Sequence, residues 1–441
     1  MRRPVLLLTL AFANILLLLL VAHSAQAATI TVTTAIDELN TSGNGLCSLR
    51  EAIAAANQDK PVGGCSTGNG LDTIRLPSNT YLLTMGILKI ARPLQLIGEG
   101  HTSTLLDGGN VAAVISISDT HATLTGITIQ NGKGRDYDGG GIQLSAVTAD
   151  SYLTLTDSLI FSNTSQIASG GISIMGNRNQ GKVANATINR SMIVSNTLIS
   201  PPGLSGSYGG GIYCSDGALS VSNTWVDKNH LPPTSSGGGL IALNCKVLID
   251  SSTFSQNSAD AGGAIHYEGN QLIIFNSTLS GNTSSSSGSV LYGNLRSAIM
   301  ISNTTVVSNG NISVAAFFIG FAQDGFKIVN TILANPRNCE SGQFAITSLG
   351  HNISSDTSCE LSHASDRINT NPLITPLQLE NGLAPTHALL PGSPAIDSGD
   401  DSACPKLDQR GIARPIGQHC DVGSYEYFPS TSKVYMPLSA R

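Results

Sequence analysis

The sequence predicts an all-β protein folded as a right-handed parallel β-helix, and two observations support this prediction. A phrase of alternating apolar and polar residues recurs every 25 to 33 residues and closes on an asparagine. Most copies are followed by a glycine cluster and a second apolar strand, as in GGGIQL (139–144) and GGAIHY (262–267). A repeat of this length, with short strands and no amphipathic helix, is typical of one coil of a β-solenoid. The closing asparagines are Asn131, Asn163, Asn196, Asn229, Asn257, Asn282, Asn309 and Asn335.

We expect the asparagines and the glycines to mark the corners of each coil. Asparagine tolerates the left-handed backbone conformation of a sharp bend, and identical amides on successive coils can form a hydrogen-bonded ladder. Glycines leave room for the backbone at the next corner. Insertions between the asparagine and the glycine cluster, as at 197–208, are expected as loops on one face. A β-propeller does not fit, because its blades need about 40 to 45 residues each.

Residues 1–27 have the features of a secretory signal peptide. Two arginines precede an apolar run over 5–21, and Ala25-Gln26-Ala27 offers the small-residue pattern of a cleavage site. An uncleaved anchor is the alternative, because the apolar run is about long enough to span a bilayer. After cleavage we expect no membrane span. The mature chain is therefore predicted to be secreted, either extracellular or on the cell surface.

Charge and cysteine content narrow the classes of function. The net charge is −6, and loss of the two leader arginines makes it −8. This balance argues against nucleic acid, whose phosphates need a basic surface. Eight cysteines fit an exported chain. They fall into four sequence-local pairs, which we expect to form disulfides: Cys47/Cys65, Cys214/Cys245, Cys339/Cys359 and Cys404/Cys420.

Both ends of the predicted solenoid resemble known modules. GLCSLREAIAAAN (45–57) predicts a short helix with Ser48 as N-cap and Glu51 as its capping-box partner. This segment resembles the CSLREA domain, which precedes β-helix repeats in exported bacterial proteins. THALLPGSPAID (386–397) and CDVGSYE (420–426) resemble the choice-of-anchor Q domain, which closes such proteins. The repeats between them resemble those of polymorphic outer-membrane proteins and of the pectin-lyase-like superfamily.

These resemblances imply the order of the domains. The β-helix carries a short N-terminal helical cap and a disulfide-bearing C-terminal closing domain. The segments are the signal peptide (1–27), the CSLREA-like cap (28–75), the β-helix repeats (76–338), the choice-of-anchor Q-like closing domain (339–427) and a tail (428–441).

Cleavage of acidic polysaccharides is the catalytic activity tested against the sequence. A lyase needs clustered acids for Ca²⁺ and an Arg or Lys base on the same face, and a hydrolase needs paired carboxylates. The best candidates in the repeats are Arg135, Asp136 and Asp138, in the loop KGRDYDGGG (133–141). The alternative is a solvated loop before the glycine corner. We expect His266 to face outward without a catalytic role.

A second group of acids lies near the C-terminus. Asp397, Asp400 and Asp401 fall within five positions. They are candidate Ca²⁺ ligands, because that ion takes carboxylate oxygens. The alternative is a structural network of Asp408, Arg410 and Arg414, which would pin the last coil.

The sequence favours a non-catalytic exported protein that presents a repeat surface for adhesion or glycan contact. Its expected partner is a polysaccharide or a cell-surface glycan, and we expect a monomer. Two alternatives stay open: a polysaccharide lyase or glycoside hydrolase acting on acidic glycans, and a structural spacer in the cell envelope. Trp225 is the only tryptophan and is expected to be buried or stacked in a ladder, which leaves few platforms for sugar rings.

Overall fold

The computed structural model describes most of the mature chain. The described residues are 27–40, 43–135, 139–199, 209–295, 298–322, 325–340, 345–380, 382 and 384–429. The predicted signal peptide lies outside these ranges except for Ala27, and so does the tail beyond Pro429. Within the described residues, no helix has the length and apolar character needed to cross a membrane.

Three parallel sheets wrap around one apolar core, which confirms the predicted parallel β-helix. The chain passes from sheet 1 to sheet 2, then to sheet 3, and returns to sheet 1 one coil further on. One such turn runs through Leu94–Gly98, Thr104–Asp107 and Ile115–Ser118 and reaches sheet 1 again at His121–Thr125. Neighbouring strands pair in parallel, so successive coils lie about 4.8 Å apart.

The strands of each sheet come from successive coils. In the described part of the chain, sheet 1 has twelve strands: Thr29–Thr31, Asp72–Leu76, Leu94–Gly98, His121–Thr125, Ser151–Thr156, Ala184–Asn189, Gly217–Ser222, Lys246–Asp250, Gln271–Phe275, Ala298–Ser302, Phe326–Val329 and Ile346–Ser348. Over the same residues, sheet 2 has eleven: Asn79–Leu82, Thr104–Asp107, Thr128–Gln130, Leu159–Phe161, Met192–Val194, Trp225–Asp227, Thr253–Ser255, Thr278–Ser280, Thr305–Val307, Ile332–Ala334 and Ile353–Ser354. Sheet 3 has nine described strands: Leu88–Ile90, Ile115–Ser118, Ile142–Ser145, Ile172–Met175, Ile212–Ser215, Leu240–Leu243, Ile265–Glu268, Leu291–Leu295 and Phe317–Ala322.

Shorter elements lie outside these sheets. Two small parallel ribbons pair Thr164–Ser165 with Thr197–Leu198 and Ser258–Ala261 with Thr283–Ser287. They follow the closing asparagines, so the insertions stack on one edge of the solenoid. The helical elements of the described chain are one α-helix, Leu49–Gln58, and two 3₁₀ turns, Arg178–Gln180 and Asp401–Ala403.

Alternate side chains of each strand point into the core. On sheet 2 the middle residue of most strands is fully buried and stacks on its equivalent in the next coil. Burial of one such side chain contributes about 1.5–3 kcal/mol, so the columns supply much of the stability. The sheet 2 column comprises Ile129, Ile160, Ile193, Val226, Phe254, Leu279, Val306 and Leu333.

An asparagine ladder runs along the corner that follows sheet 2. From Asn196 onward, each Oδ1 accepts two hydrogen bonds from the preceding member of the ladder, one from its backbone N–H and one from its Nδ2. Each Nδ2 also donates to a sheet 2 carbonyl, as Asn229 does to Ile193 O at 2.9 Å. The members are Asn163, Asn196, Asn229, Asn257, Asn282, Asn309, Asn335 and Asn338, each with its side chain buried.

Asn131 does not belong to this ladder, although the sequence placed it with the others. The register puts Gly132, not Asn131, beside Asn163, and the Gly132 N–H donates to Asn163 Oδ1. Asn131 instead donates to Asp107 Oδ2 and has a φ of 52°. Asn338, which lies three residues after Asn335, extends the ladder at its other end.

The left-handed backbone conformation was also expected at the wrong residue. The ladder asparagines lack it, because their amides must turn inward to reach the neighbouring coil. The residue before the asparagine adopts it instead, and its side chain points away from the core, so Lys and Gln are accepted there. These residues are Ser162, Ser195, Lys228, Gln256, Gly281 and Ser308, with φ between 52° and 67°.

The corner between sheets 1 and 2 carries a second ladder, of hydroxyl groups. The backbone N–H of Ser158 donates to Ser191 Oγ, and that of Thr224 donates to Ser252 Oγ. Each hydroxyl follows a left-handed residue, such as Asn223 with a φ of 48°. The sequence analysis missed this ladder, which is encoded by the polar pairs just ahead of each sheet 2 strand.

The N-terminal end of the core is covered by the helix Leu49–Gln58. Ser48 caps it, and the Glu51 carboxylate accepts the Ser48 N–H at 3.0 Å, which completes a capping box. Leu49, Ile53 and their neighbouring alanines are buried in the main core. The predicted helix therefore closes this end of the apolar interior.

The C-terminal segment lies along the side of the solenoid as well as beyond its end. The solenoid itself continues to Ser354, and Leu361 still packs on the main core. Residues 384–427, which we call the closing segment, fold back over the outer face of sheet 2. There Leu389 and Tyr425 pack against outward apolar side chains such as Ile332.

Hydrogen bonds between distant residues hold the closing segment in place. Thr253 Oγ1 donates to Pro385 O at 2.6 Å, and Thr278 Oγ1 donates to Gln409 Oε1 at 2.6 Å. The Gly423 N–H donates to Asn330 O at 2.8 Å. The closing segment therefore covers the last coils of sheet 2 from the side.

Candidate functional site

An apolar strip lies on the outer face of sheet 2, upstream of the closing segment. The strands here are three residues long, so their first and third side chains point outward. In three successive coils these positions carry large apolar residues, and the side chain of Phe161 is 39% exposed. We call this set the outer strip: Leu159, Phe161, Met192, Val194 and Trp225.

The outer strip has a boundary at each end. Upstream, Thr128 donates its hydroxyl to His101 O and is covered by that turn. Downstream, Thr253 is covered by Pro385 of the closing segment. The first and third rows of the strip are two coil steps apart, about 10 Å. Between these two boundaries the strip forms a shallow trough across three coils.

Trp225 is held by a chain of hydrogen bonds at the downstream edge of the trough. Its Nε1 donates to Ser255 Oγ at 2.8 Å, and Ser255 Oγ donates to Asp227 Oδ1 at 2.6 Å. These bonds fix the indole against the sheet, with its ring half-buried. Trp225 was expected to be buried or stacked in a ladder, but it lies on the outer face, because it occupies the first position of its strand.

Asp227 is the carboxylate of this edge. Its side chain is 2% exposed, and Lys228 Nζ lies 3.6 Å from Oδ2. Burial raises the pKa of Asp227, while Ser255 and Lys228 act in the opposite direction. Asp227 itself is covered, and the Lys228 ammonium, whose side chain is 56% exposed, is the group at this edge that can donate hydrogen bonds to a polar ligand. The strip supplies an apolar floor.

The described residues of the predicted catalytic loop do not form a group of catalytic side chains. Asp136 and Asp138 lie outside the described residues, and Arg135 is exposed at the start of the loop. A cleft of about 460 Å³ lies at the corner that follows sheet 3, and its lining includes Met175, Arg178 and Asp216. Asp216 accepts from the Asn244 amide at 2.6 Å.

The predicted calcium site is not assembled. Asp397 accepts N–H groups from the 418–419 turn, Asp400 caps the short 3₁₀ turn that follows it, and Asp401 accepts from the Cys420 N–H. The three carboxylates stabilise separate pieces of backbone and do not converge. Within the described ranges, no group of three acids, histidines or cysteines is placed to hold a metal ion.

A buried charge network lies within the closing segment. Arg410 donates to Asp408 Oδ2 at 2.7 Å, pairs with Glu380 at 3.2 Å and lies 3.3 Å from the centre of the Tyr425 ring. The Asp408–Arg410 pair was an expected part of a structural network. Arg414, the third expected member, joins the same network through Glu426, whose backbone N–H donates to Asp408 Oδ2 at 3.0 Å and whose carbonyl accepts from Arg410 at 2.7 Å.

Arg414 contacts a second pair of acids. It donates to Asp421 O at 2.8 Å and lies 3.7 Å from Glu426 Oε2. Burial and the neighbouring Glu426 raise the pKa of Asp421 to about 7, and burial also raises the pKa of Glu426. Two acids and an arginine meet here, but all three are buried, so no substrate can reach them.

His266 points outward from sheet 3, yet its ring is covered. The residue is 7% exposed, and Nε2 lies 3.1 Å from Glu268 Oε1. Its ring meets the edge of Tyr292, which stacks on Phe318 with 5.5 Å between ring centres. This row packs sheet 3 coil on coil and leaves the imidazole inaccessible.

All four expected disulfides are present. Cys47–Cys65 fastens the N-terminal helix and Cys214–Cys245 joins two adjacent coils. The other two, Cys339–Cys359 and Cys404–Cys420, lie in the C-terminal region, and no described cysteine is free.

Comparison with known proteins identifies the class of fold. The structure is similar to the crystal structure of pectate lyase Pel9A, with a TM-score of 0.51 and 11% sequence identity over 92% of this chain and 97% of that one. No protein-family model and no curated protein matches the sequence. The chain is therefore a pectate-lyase-like parallel β-helix in its fold. At this identity the likeness carries no function.

Proposed function

We propose that the protein is exported and binds a polysaccharide or a cell-surface glycan through the outer strip, without cleaving it. The observation that carries the proposal is the outer strip itself: an outward-facing apolar trough in which Phe161 is exposed, the other side chains are half-buried and the tryptophan is anchored. In the next two strands the equivalent positions carry short hydroxyl-bearing side chains: Thr253, Ser255, Thr278 and Ser280. An aromatic ring beside polar groups suits the apolar faces and hydroxyls of sugars.

The distribution of charge supports binding over cleavage. A lyase or hydrolase needs at least two acids, or acids with a base, at the bound sugar. The strip edge holds one acid, Asp227, and the cleft at Arg178 has one acid in its lining, Asp216. The catalytic alternative depends on the likeness of fold and on a cleft of about 430 Å³ in the C-terminal region, whose lining includes Asp366, Arg367 and Asp397. The spacer alternative would leave the outer strip without a ligand.

Export and the modular resemblances belong to the same proposal. Four disulfides fit an oxidising compartment. We infer that residues 28–75 are a CSLREA-like cap and that 339–427 are a choice-of-anchor Q-like closing domain of a surface or extracellular protein. The lateral packing of the closing segment supports a role for that domain in stabilising the solenoid.

The test uses the purified mature chain and a panel of soluble polysaccharides. We expect retardation in affinity gels that is lost in Trp225→Ala, with neither new reducing ends nor ultraviolet-absorbing unsaturated products. Tyr152→Ala is the matched control, because Tyr152 is 37% exposed on sheet 1, away from the strip. Product formation would overturn the non-catalytic assignment. Equal binding by the two variants would overturn the assignment of the surface.

A further inference from the structure

We propose that the outer strip binds an uncharged polysaccharide in preference to a polyuronate. One polysaccharide chain lies over the three coils and runs parallel to the strands. This inference rests on the proposed function and names the class of ligand. It depends on the boundaries of the trough, on the side chains of its floor and on the sparse charge around it.

The boundaries set the direction of the ligand. A chain lying along the solenoid axis would meet the His101 turn at one end and Pro385 at the other. The trough between them is about 10 Å from its first to its third row, which leaves room for one sugar chain but not for a passage along the axis. A polymer bound in the trough is therefore expected to run parallel to the strands.

The floor of the trough disfavours a charged ligand. Outward positions in the strip are occupied by Leu159, Phe161, Met192, Val194 and Trp225, and none of them can hydrogen-bond a carboxylate except through the indole N–H. That N–H is already donated to Ser255. A uronate carboxylate laid on this floor would lose water without gaining a hydrogen-bond partner, and burial of such an unpaired charge is unfavourable.

The charges at the edge of the trough also disfavour a charged ligand. The outward positions of these three strands hold one acid, Asp227, and no base. The exposed cations at the two flanking corners are each paired with an acid: Lys228 lies 3.6 Å from Asp227, and Arg190 lies 2.6 Å from Asp157. The net charge of the chain is −6, so long-range attraction for a polyanion is absent as well. Hydroxyl groups, in contrast, can accept hydrogen bonds from the exposed Lys228 ammonium without bringing a charge into the trough.

A pair of polymers with one backbone isolates the effect of charge. We expect fully methyl-esterified polygalacturonan to bind at least tenfold more tightly than polygalacturonate. Between about 0.05 and 0.5 M salt, the binding of the ester should change less than twofold, because no ion pair is formed. Phe161→Ser and Trp225→Ala should each weaken ester binding at least fivefold. Two variants are used because either substitution alone could disturb the coil.

A gain-of-charge variant provides the converse test. Val194→Lys places a cation in the middle of the trough, and we expect it to raise affinity for polygalacturonate while lowering affinity for the ester. Tighter binding of polygalacturonate to the unmodified protein, weakened by salt, would overturn the inference but leave the proposed function standing. No binding to either polymer or to the wider panel, together with self-association lost in Phe161→Ser, would overturn both and assign the strip to a second copy of the chain.

Discussion

Replacement of Asn229 by alanine tests whether the asparagine ladder holds the coils together. The side chain makes four hydrogen bonds. Its Oδ1 accepts from the backbone N–H and the Nδ2 of Asn196, both at 3.0 Å. Its Nδ2 donates to Ile193 O and to Asn257 Oδ1, both at 2.9 Å. All four bonds are buried, so water cannot replace them without entering the corner.

The expected cost follows from what remains unpaired. The Asn196 N–H loses the side-chain acceptor it has in the ladder, which costs about 1–3 kcal/mol for a buried donor. Asn196 Nδ2 keeps its bond to Ile160 O, and Asn257 Oδ1 keeps its bond from the Asn229 N–H, so these losses are about 1 kcal/mol each. With the lost bond to Ile193 O, Asn229→Ala should lower the free energy of unfolding by about 4–6 kcal/mol.

Urea denaturation followed by fluorescence measures this loss directly. Trp225 is the single tryptophan and lies in the same coil, four residues before Asn229, so its emission reports the affected region. Asn223→Gly is the matched control, because Asn223 is an exposed asparagine with a φ of 48° that glycine adopts freely. We expect the control to change stability by less than about 1 kcal/mol. A loss below about 1.5 kcal/mol in Asn229→Ala would show that the ladder follows from coil stacking and does not maintain it.

Three further predictions concern stability. Phe254→Ala removes a fully buried ring from the sheet 2 column and should cost about 3–5 kcal/mol in urea unfolding. Changing both Cys214 and Cys245 to alanine opens a loop with a sequence separation of 31. By the chain-entropy model this should cost about 3–4 kcal/mol, and an unchanged midpoint would show that the coils alone set the spacing. The pKa of Asp421 is raised to about 7, so the folded state binds a proton that the unfolded state releases. Stability should therefore fall by up to about 4 kcal/mol as pH rises from about 4 to about 7, and this slope should flatten in Asp421→Asn.

The ladder shows how far sequence reasoning could reach. Seven of its members follow from the spacing of the closing asparagines, because each residue repeats the same local environment one coil later. Asn131 failed because a one-residue shift of register, invisible in the spacing, places Gly132 at the ladder position. The position of the left-handed residue was wrong for a similar reason. Either of the two corner residues can adopt the positive φ, and the inward direction of the asparagine side-chain amide decides which one does.

The outer strip was within reach of the sequence but was overlooked. Trp225 and Met192 occupy the same position of a three-residue strand, and the middle residues Ile193 and Val226 are the buried ones. Counting back from the ladder asparagine would have placed the tryptophan outside. The lateral course of the closing segment could not be found in this way. It depends on pairs such as Thr278 with Ser424, which are 146 residues apart and share no local pattern.

The contacts of the closing segment with much earlier coils can form only after the segment itself has been synthesised. A solenoid can grow coil by coil, because each coil contacts only its neighbours. Residues 384–427, however, meet coils laid down long before them, and Gln409 reaches back 156 positions to Thr253. The last five coils therefore reach their final stability only when the end of the segment has been synthesised. A chain that lacked the closing segment would leave the outer face of sheet 2 uncovered in these coils. Exposure of that face would distinguish such a fragment from the intact chain.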